Sequence, residues 1–266
     1  MFRAAARGAA KLAVENVNIP EAEPEFDLDR YGRQFLVDGW GAAQQRRLRD
    51  ASVLVVGAGA LGSPVAAYLA GAGVGRIGVL DSDHVETSNL HRQFLHSTPE
   101  VGSPKAHSAV AKLQVLNPEV MVEPYQVRLD EDNADGLVLG HDLVVDCSDS
   151  FATRYLVNAT CCVTETPLVE GGVLGLAGLV MAIRPGETAC YRCAFPAPPA
   201  DAPSCATEGV LGPAAGVVGS LMALEALKLL AELPDALTDA FLQVDLARHD
   251  HLKVVTKRRD DCPDCG

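Results

Sequence analysis

Residues 53–62 read V-L-V-V-G-A-G-A-L-G. The apolar run has no polar alternation, which suits a strand buried on both faces in a parallel sheet. It ends in Gly57, Gly59 and Gly62, the G-x-G-x-x-G spacing. In such a motif the first glycine allows a tight turn, the second lets backbone approach a phosphate, and the third lets the next helix pack close. That helix is expected from near Ala60 through Val65, Ala66, Leu69 and Ala70. Its first turn offers free N–H groups and a positive dipole end to an anion. A second apolar stretch, residues 76–80, ends in Asp81. An acid about twenty residues beyond the glycines is where a ribose is bound in such folds. Strand, glycines, helix, strand and acid in this order predict nucleotide binding. They leave dinucleotide and mononucleotide both open.

Composition bounds the rest. The chain has 266 residues, of which 48% are hydrophobic, enough for one sizeable core. Lys and Arg number 22 against 35 Asp and Glu, so the formal charge is 22 − 35 = −13. That mean field repels phosphate backbones and argues against a nucleic-acid partner. No apolar run is expected to reach the roughly 18 residues of a membrane span. Eight cysteines without a secretory signal point to a reducing, cytoplasmic setting. Residues 1–27 differ in composition. Arg3, Arg7 and Lys11 stand among alanines, followed by a Pro- and Glu-rich stretch. This reads as a flexible N-terminal extension with a faint transit-peptide character, leaving residues 28–266 as one domain.

Further along, residues 81–95 read D-S-D-H-V-E-T-S-N-L-H-R-Q-F-L. Asp81 and Asp83 could bind ribose or Mg²⁺. Ser88, Asn89, Arg92 and Gln93 are polar groups of the kind that grip a triphosphate, although taken alone such a loop is more often a solvated connection. Lys105 opens a helix that runs to Leu116 and stops at Asn117-Pro118. Residues 120–127 read as a strand. Residues 142–149 read as another, whose C-terminal end belongs beside the glycine loop. Asp146 would brace that loop, Ser150 would cap the helix from Phe151, and Arg154 lies one turn along it.

From residue 167 the alternation of strand and helix gives way to consecutive strands, at 167–183, 240–245 and 251–256. A helix within 212–233 is apolar nearly all round, so it is expected to be deeply buried, with Glu225 and Lys228 pairing on its surface. Cys147, Cys161 and Cys162 read as packing thiols. Cys190 and Cys193 form one C-x-x-C, Cys262 and Cys265 a second. Two such pairs make a set suited to tetrahedral zinc, a clip tying the chain end to the body, with disulfide or redox chemistry as the alternative.

D-R-Y-G-R-Q-F at 29–35, D-x-D-x-V-x-x-S-N-L-x-R-Q at 81–93, G-S-P-K at 102–105, Asp149 and the paired C-x-x-C motifs occur in one order. Over residues 28–266 this resembles the MoeB/ThiF family of ubiquitin-activating-like adenylyltransferases. The resemblance implies an α/β fold, a Rossmann-like parallel sheet continued by antiparallel strands, with structural Zn²⁺ on the four cysteines. It implies ATP- and Mg²⁺-dependent adenylation of the C-terminal Gly-Gly of a small sulfur-carrier protein of the MoaD/ThiS type. The product would serve molybdopterin, thiamin, thiolated tRNA or a related compound. Sulfur would come from a separate donor, a cysteine desulfurase or rhodanese.

By the same resemblance Arg33, Arg92, Lys105 and Asp149 are catalytic. Gly57, Gly59, Gly62, Asp81, Asp83, Ser88, Asn89, Gln93 and Ser150 join Arg92, Lys105 and Asp149 in holding nucleotide. Asp149 would carry Mg²⁺. Ser150 replaces the usual Asn of the family. Cys205 matches a crossover-loop cysteine that some members link covalently to the carrier and others dispense with. Arg33 would act across a homodimer, reaching the neighbouring site on a flexible lead. An NAD-dependent oxidoreductase would leave Arg92, Lys105 and the cysteine pairs unexplained. A non-catalytic carrier-binding homologue would have no need of Arg92, Lys105 and Asp149.

Overall fold

Eight strands form a single sheet in the order β3-β2-β1-β4-β5-β6-β7-β8. The computed structural model describes residues 26–198 and 209–266. Cys205 and residues 1–25, read above as extension, lie outside the described residues. Strands β1 (Ser52–Val56), β2 (Arg76–Leu80), β3 (Met121–Tyr125), β4 (Leu143–Asp146) and β5 (Leu168–Leu174) run parallel. Strands β6 (Ala177–Ile183), β7 (Ala240–Asp245) and β8 (Asp250–Val255) continue the sheet antiparallel. The change falls between β5 and β6, where a two-residue hairpin link replaces the helical crossover that parallel neighbours need.

Helices cover both faces of the parallel part. On one side lie α2 (Ala42–Asp50), α3 (Gly62–Ala72), α4 (Lys105–Leu116) and α8 (Gly212–Leu230). On the other lie α5 (Ala134–Leu139), α6 (Phe151–Thr164) and the short α7 (Tyr191–Ala194). Strand residues divide accordingly. Val53, Val55, Ile77 and Val145 enter the first core, whereas Leu54, Val56, Leu80 and Val144 enter the second. A strand buried on both faces must be apolar at every position, which is why β1 shows no alternation.

Residues 28–36 are held against the body, and most of the lead before them lies outside the described residues. Helix α1 (Leu28–Tyr31) buries Tyr31. The Tyr31 hydroxyl donates to Glu119 Oε2 at 2.9 Å and accepts from Asn117 Nδ2 at 2.7 Å. Gln34 Nε2 donates to Gln45 Oε1 at 2.9 Å and to Ala72 O at 3.3 Å. These contacts sit at the C-terminal end of α3, one helix length from the glycine turn, about 16 Å at 1.5 Å per residue.

Helix α8 departs from expectation in two ways. It is buried on one face only, and Val217 and Leu224 are exposed at 41% and 49%. An outer-layer helix meets the sheet along one stripe whatever its composition. At 19 residues it is also long and apolar enough to cross a membrane by length and composition, with half of it buried in the protein. Glu225 lies on the buried side, accepting from Lys228 Nζ at 2.7 Å and from Leu237 N at 2.6 Å. The pair expected at the surface therefore pins the loop that leads into β7.

Candidate active site

Strand order reverses between β1 and β4, and open α/β sheets bind ligands in the crevice at that point. Gly57 turns there with φ of +97°, and a Cβ would stand 3.1 Å from the Cys147 carbonyl oxygen. A Cβ on Gly62 would overlap the Gly57 carbonyl oxygen. The two glycines therefore let α3 start directly against the turn, at Gly62 and not at Ala60. Asp81 braces this arrangement, its Oδ2 accepting from Ala58 N and its Oδ1 from Asp83 N, both at 2.8 Å.

The crevice opens as a cavity of about 810 Å³. Gly57, Gly59, Asp81, Asp83, Arg92, Gln93, Lys105, Asp149 and Ser150 line it, bringing together most of the residues read from the sequence. Lys105 is buried to 5% exposure, and its Nζ donates to Asp83 Oδ2 at 3.1 Å. Asp149 is exposed and makes no hydrogen bond or ion pair among the described residues. Its carboxylate is thus free to hold a cation.

Ser88 and Asn89 lie outside the lining and serve Arg92. Arg92 Nη2 donates to Asn89 Oδ1 at 2.8 Å and Nη1 to Ser88 O at 3.1 Å. Ser150 occupies the N-cap position of α6, but its hydroxyl makes no capping bond, contrary to expectation. Asp146 does brace the loop, accepting from Ser148 N at 2.8 Å. Arg33 is exposed at the far end of α3 and lines no part of its own chain's cavity.

The sequence reading missed His96. Buried behind the glycine turn, its Nε2 meets Ala58 O at 2.9 Å and its Nδ1 meets Ser108 Oγ on α4 at 2.8 Å. A carbonyl only accepts, so Nε2 carries the proton and Nδ1 accepts from the hydroxyl. Burial, the largest cause, lowers the His96 pKa. The neutral imidazole is then favoured in the folded protein, and its contribution is present above the ordinary value of about 6.5 and lost as pH falls below it. The stability advantage of wild type over His96→Gln should shrink between pH 7.5 and 5.5. Denaturant titrations giving the same difference at both pH values would contradict this.

The cavity also has an apolar arm that spacing did not reveal. Tyr155, Tyr191, Phe195 and Phe241 line it, with Gly172 and Gly178 from β5 and β6. Consecutive rings from Tyr155 to Phe241 lie 5.0–5.4 Å apart.

Behind that wall the four cysteines converge, their Sγ atoms all within 4.8 Å of one another. Contacts are 3.6 Å for Cys190–Cys262, 3.4 Å for Cys193–Cys265 and 3.8 Å for Cys190–Cys193. A tetrahedron with zinc–sulfur bonds of ~2.3 Å places sulfurs ~3.8 Å apart, so the set fits zinc. No disulfide joins any of the described cysteines. Cys162 is half-buried beside this cluster, and its hydrogen bond to Cys190 is the main cause holding the Cys190 thiol below its ordinary range. Asp264, inside the second C-x-x-C, accepts from Asn158 Nδ2 at 2.6 Å and Arg192 Nε at 2.7 Å. The clip is thereby joined to α6 and α7, which carry the aromatic wall.

Metal binding to such a set is folding free energy. Cys190→Ser or Cys262→Ser should therefore lower Tm by roughly 10 °C, at 2–4 °C per kcal/mol for a chain this size. Elemental analysis should find one zinc per wild-type chain. A metal-free, equally stable wild type would refute the clip.

The ThiF family model matches residues 31–265. A sulfur carrier protein adenylyltransferase of Thermus thermophilus is 49% identical over 247 residues, covering 90% of this chain and 91% of that protein. A SAMP-activating enzyme E1 of Haloferax volcanii is 46% identical over 241 residues, covering 90% and 89%. A crystal structure of E. coli MccB superposes with a TM-score of 0.76 at 23% identity, over 84% of this chain and 67% of that one, a likeness of fold. The matched motifs, the strand order and these relatives agree, and the chain belongs to the ThiF family.

Proposed function

We propose that this protein uses ATP to adenylate the C-terminal glycine of a small ubiquitin-like sulfur-carrier protein. One observation carries the reading: a single cavity lined by two unlike sets of residues. One set is the glycine turn with Arg92 and Lys105, the other the aromatic rings with Gly172 and Gly178. A triphosphate suits the first, and a narrow, uncharged Gly-Gly tail suits the second. At their junction the tail carboxylate attacks the α-phosphorus, pyrophosphate leaves, and an acyl-adenylate remains. Such chemistry calls for alignment and charge neutralisation more than for a covalent enzyme intermediate. Arg92 and Lys105 supply cations. Asp149 would hold Mg²⁺, which neutralises phosphate charge when bound.

The relatives' names support this substrate class. A separate cysteine desulfurase or rhodanese would deliver sulfur to the activated carrier in the cytoplasm. Cys205, outside the described residues, is the candidate for a covalent carrier adduct. A homodimer is part of the same proposal. Gln34, Tyr68, Leu224 and Leu227 line an open apolar groove between α3 and α8, and Tyr68 is 57% exposed. A second copy of the chain seated there would bury it, and Arg33 is the residue next to Gln34 at its rim.

The test is pyrophosphate exchange driven by a carrier co-purified with the protein and identified by mass. Exchange should require the carrier's terminal glycine. Absence of exchange and of an acyl-adenylate with that carrier would overturn the reading.

A further inference from the structure

At the cavity wall, where Arg154 is part of the lining, three ionisable side chains are buried together. Arg154 on α6 donates from Nη1 to Glu170 Oε1 on β5 at 2.5 Å and from Nη2 to Ser148 O at 2.8 Å. Asp146, the last residue of β4, accepts from Ser148 N through Oδ1 at 2.8 Å. Asp146 and Glu170 have no exposed surface, and Arg154 retains 8%.

The second oxygens of both acids, Asp146 Oδ2 and Glu170 Oε2, are buried with no donor to meet them. Burial first, and the Asp146 charge second, push the Glu170 carboxyl well above its usual range, against the pull of Arg154.

A buried ion pair is often worth no more to stability than apolar residues of the same size. Stability alone therefore leaves this cluster unexplained. What it touches is specific: both backbone groups of Ser148, the residue before Asp149. It also dictates its neighbour. A Cβ at Gly172 would stand 3.2 Å from both Nη atoms of Arg154.

We propose that Arg154 is a positioning residue: with Asp146 it pins the N–H and C=O of Ser148 and so fixes where the Asp149 carboxylate sits in the cavity. The inference rests on Asp149 being the Mg²⁺-holding group of the proposed function. Arg154 itself lines the cavity, and the role assigned to it is exerted through that carboxylate.

The test is calorimetric titration of ATP into the full chain at graded Mg²⁺, with no carrier present. Arg154→Lys and Arg154→Gln should raise the Mg²⁺ concentration for half-maximal ATP binding roughly tenfold, the size of second-layer effects on metal affinity. Lysine, which can remake one of the two bonds, should lose less than glutamine. ATP binding in EDTA should be unchanged. Asp149→Asn alone should give the same shift, and adding Arg154→Lys to it should add nothing, as for residues acting through one group. Folded arginine variants with wild-type Mg²⁺ dependence, or effects that add to Asp149→Asn, overturn the proposal. If both arginine variants fail to fold, Gly172→Ala decides, because its methyl crowds the guanidinium. A shift in the same direction supports the proposal, and an unchanged midpoint overturns it. A wild type that binds ATP without regard to Mg²⁺ overturns the role of Asp149 as well.

Discussion

Lys105→Ala should lower carrier-dependent pyrophosphate exchange about a hundredfold, and Arg92→Ala should do the same. Each would lose a charge-assisted phosphate contact that strengthens in the transition state, worth about 3 kcal/mol. The two cations are held by different means. Lys105 is the first residue of α4, and its backbone N–H donates to Asp83 O at 2.9 Å, so the start of the helix sets where the side chain begins. Its ammonium is buried against Asp83, whose side chain is 70% exposed. Removing Lys105 leaves only a well-solvated carboxylate behind, and exposed ion pairs contribute little. Thermal stability should therefore change little while exchange collapses. Arg92 is aimed by Ser88 O and Asn89 Oδ1. Asn89→Ala should thus reproduce part of the Arg92→Ala loss. Exchange close to wild type in both Lys105→Ala and Arg92→Ala would remove these residues from the mechanism.

Arg33→Ala and Lys105→Ala, each nearly inactive as a homodimer, should complement one another when mixed. Arg33 stands at the end of α3 away from the glycine turn, its guanidinium exposed and without a partner among the described residues. About 16 Å of helix separates it from its own cavity, beyond the reach of a side chain. A two-fold partner packed on the α3–α8 groove could bring a second Arg33 to the cavity, where it would neutralise phosphate charge as an arginine finger does. In a heterodimer of the two variants one site lacks both residues and the other is complete. The heterodimer should then carry about half the activity of a wild-type dimer, set by its one complete site. Exchange rates measured after mixing, with subunit exchange proven by mass, decide the matter. No recovery would place Arg33 in its own subunit or outside the reaction.

Much of this protein is legible from local pattern. G-x-G-x-x-G after an apolar run fixes a strand, a turn and a helix, because only glycine fits at Gly57 and Gly62. The run itself announces a parallel strand covered on both faces, and the shift to consecutive strands announces the antiparallel half. Lys105 and Arg92 were found through a family pattern whose spacing survives in one dimension. The cysteine pairs were found by spacing within each pair, and their convergence follows from the chemistry of four thiols.

What escaped local pattern depends on packing between distant segments. The face that α8 buries is set by where α3 and the sheet lie, so an all-round apolar helix gave no warning that Val217 and Leu224 face outward. Glu170 stands as a lone acid in an apolar strand, yet its partners Arg154 and Asp146 come from different elements and meet only once β4, β5 and α6 pack. His96 bridges the glycine turn and α4 across a similar gap. The sequence by itself determined the nucleotide-binding half-sheet, the two cations and the four thiols, because each rests on short-range spacing and intrinsic chemistry. Only the tertiary structure decided that Arg33 lies outside its own cavity, that Ser88 and Asn89 serve Arg92, and that aromatic rings share one cavity with the glycine turn and a buried ionisable cluster. Those are distances between residues far apart in the chain, and they are set by how layers pack, which no local pattern encodes.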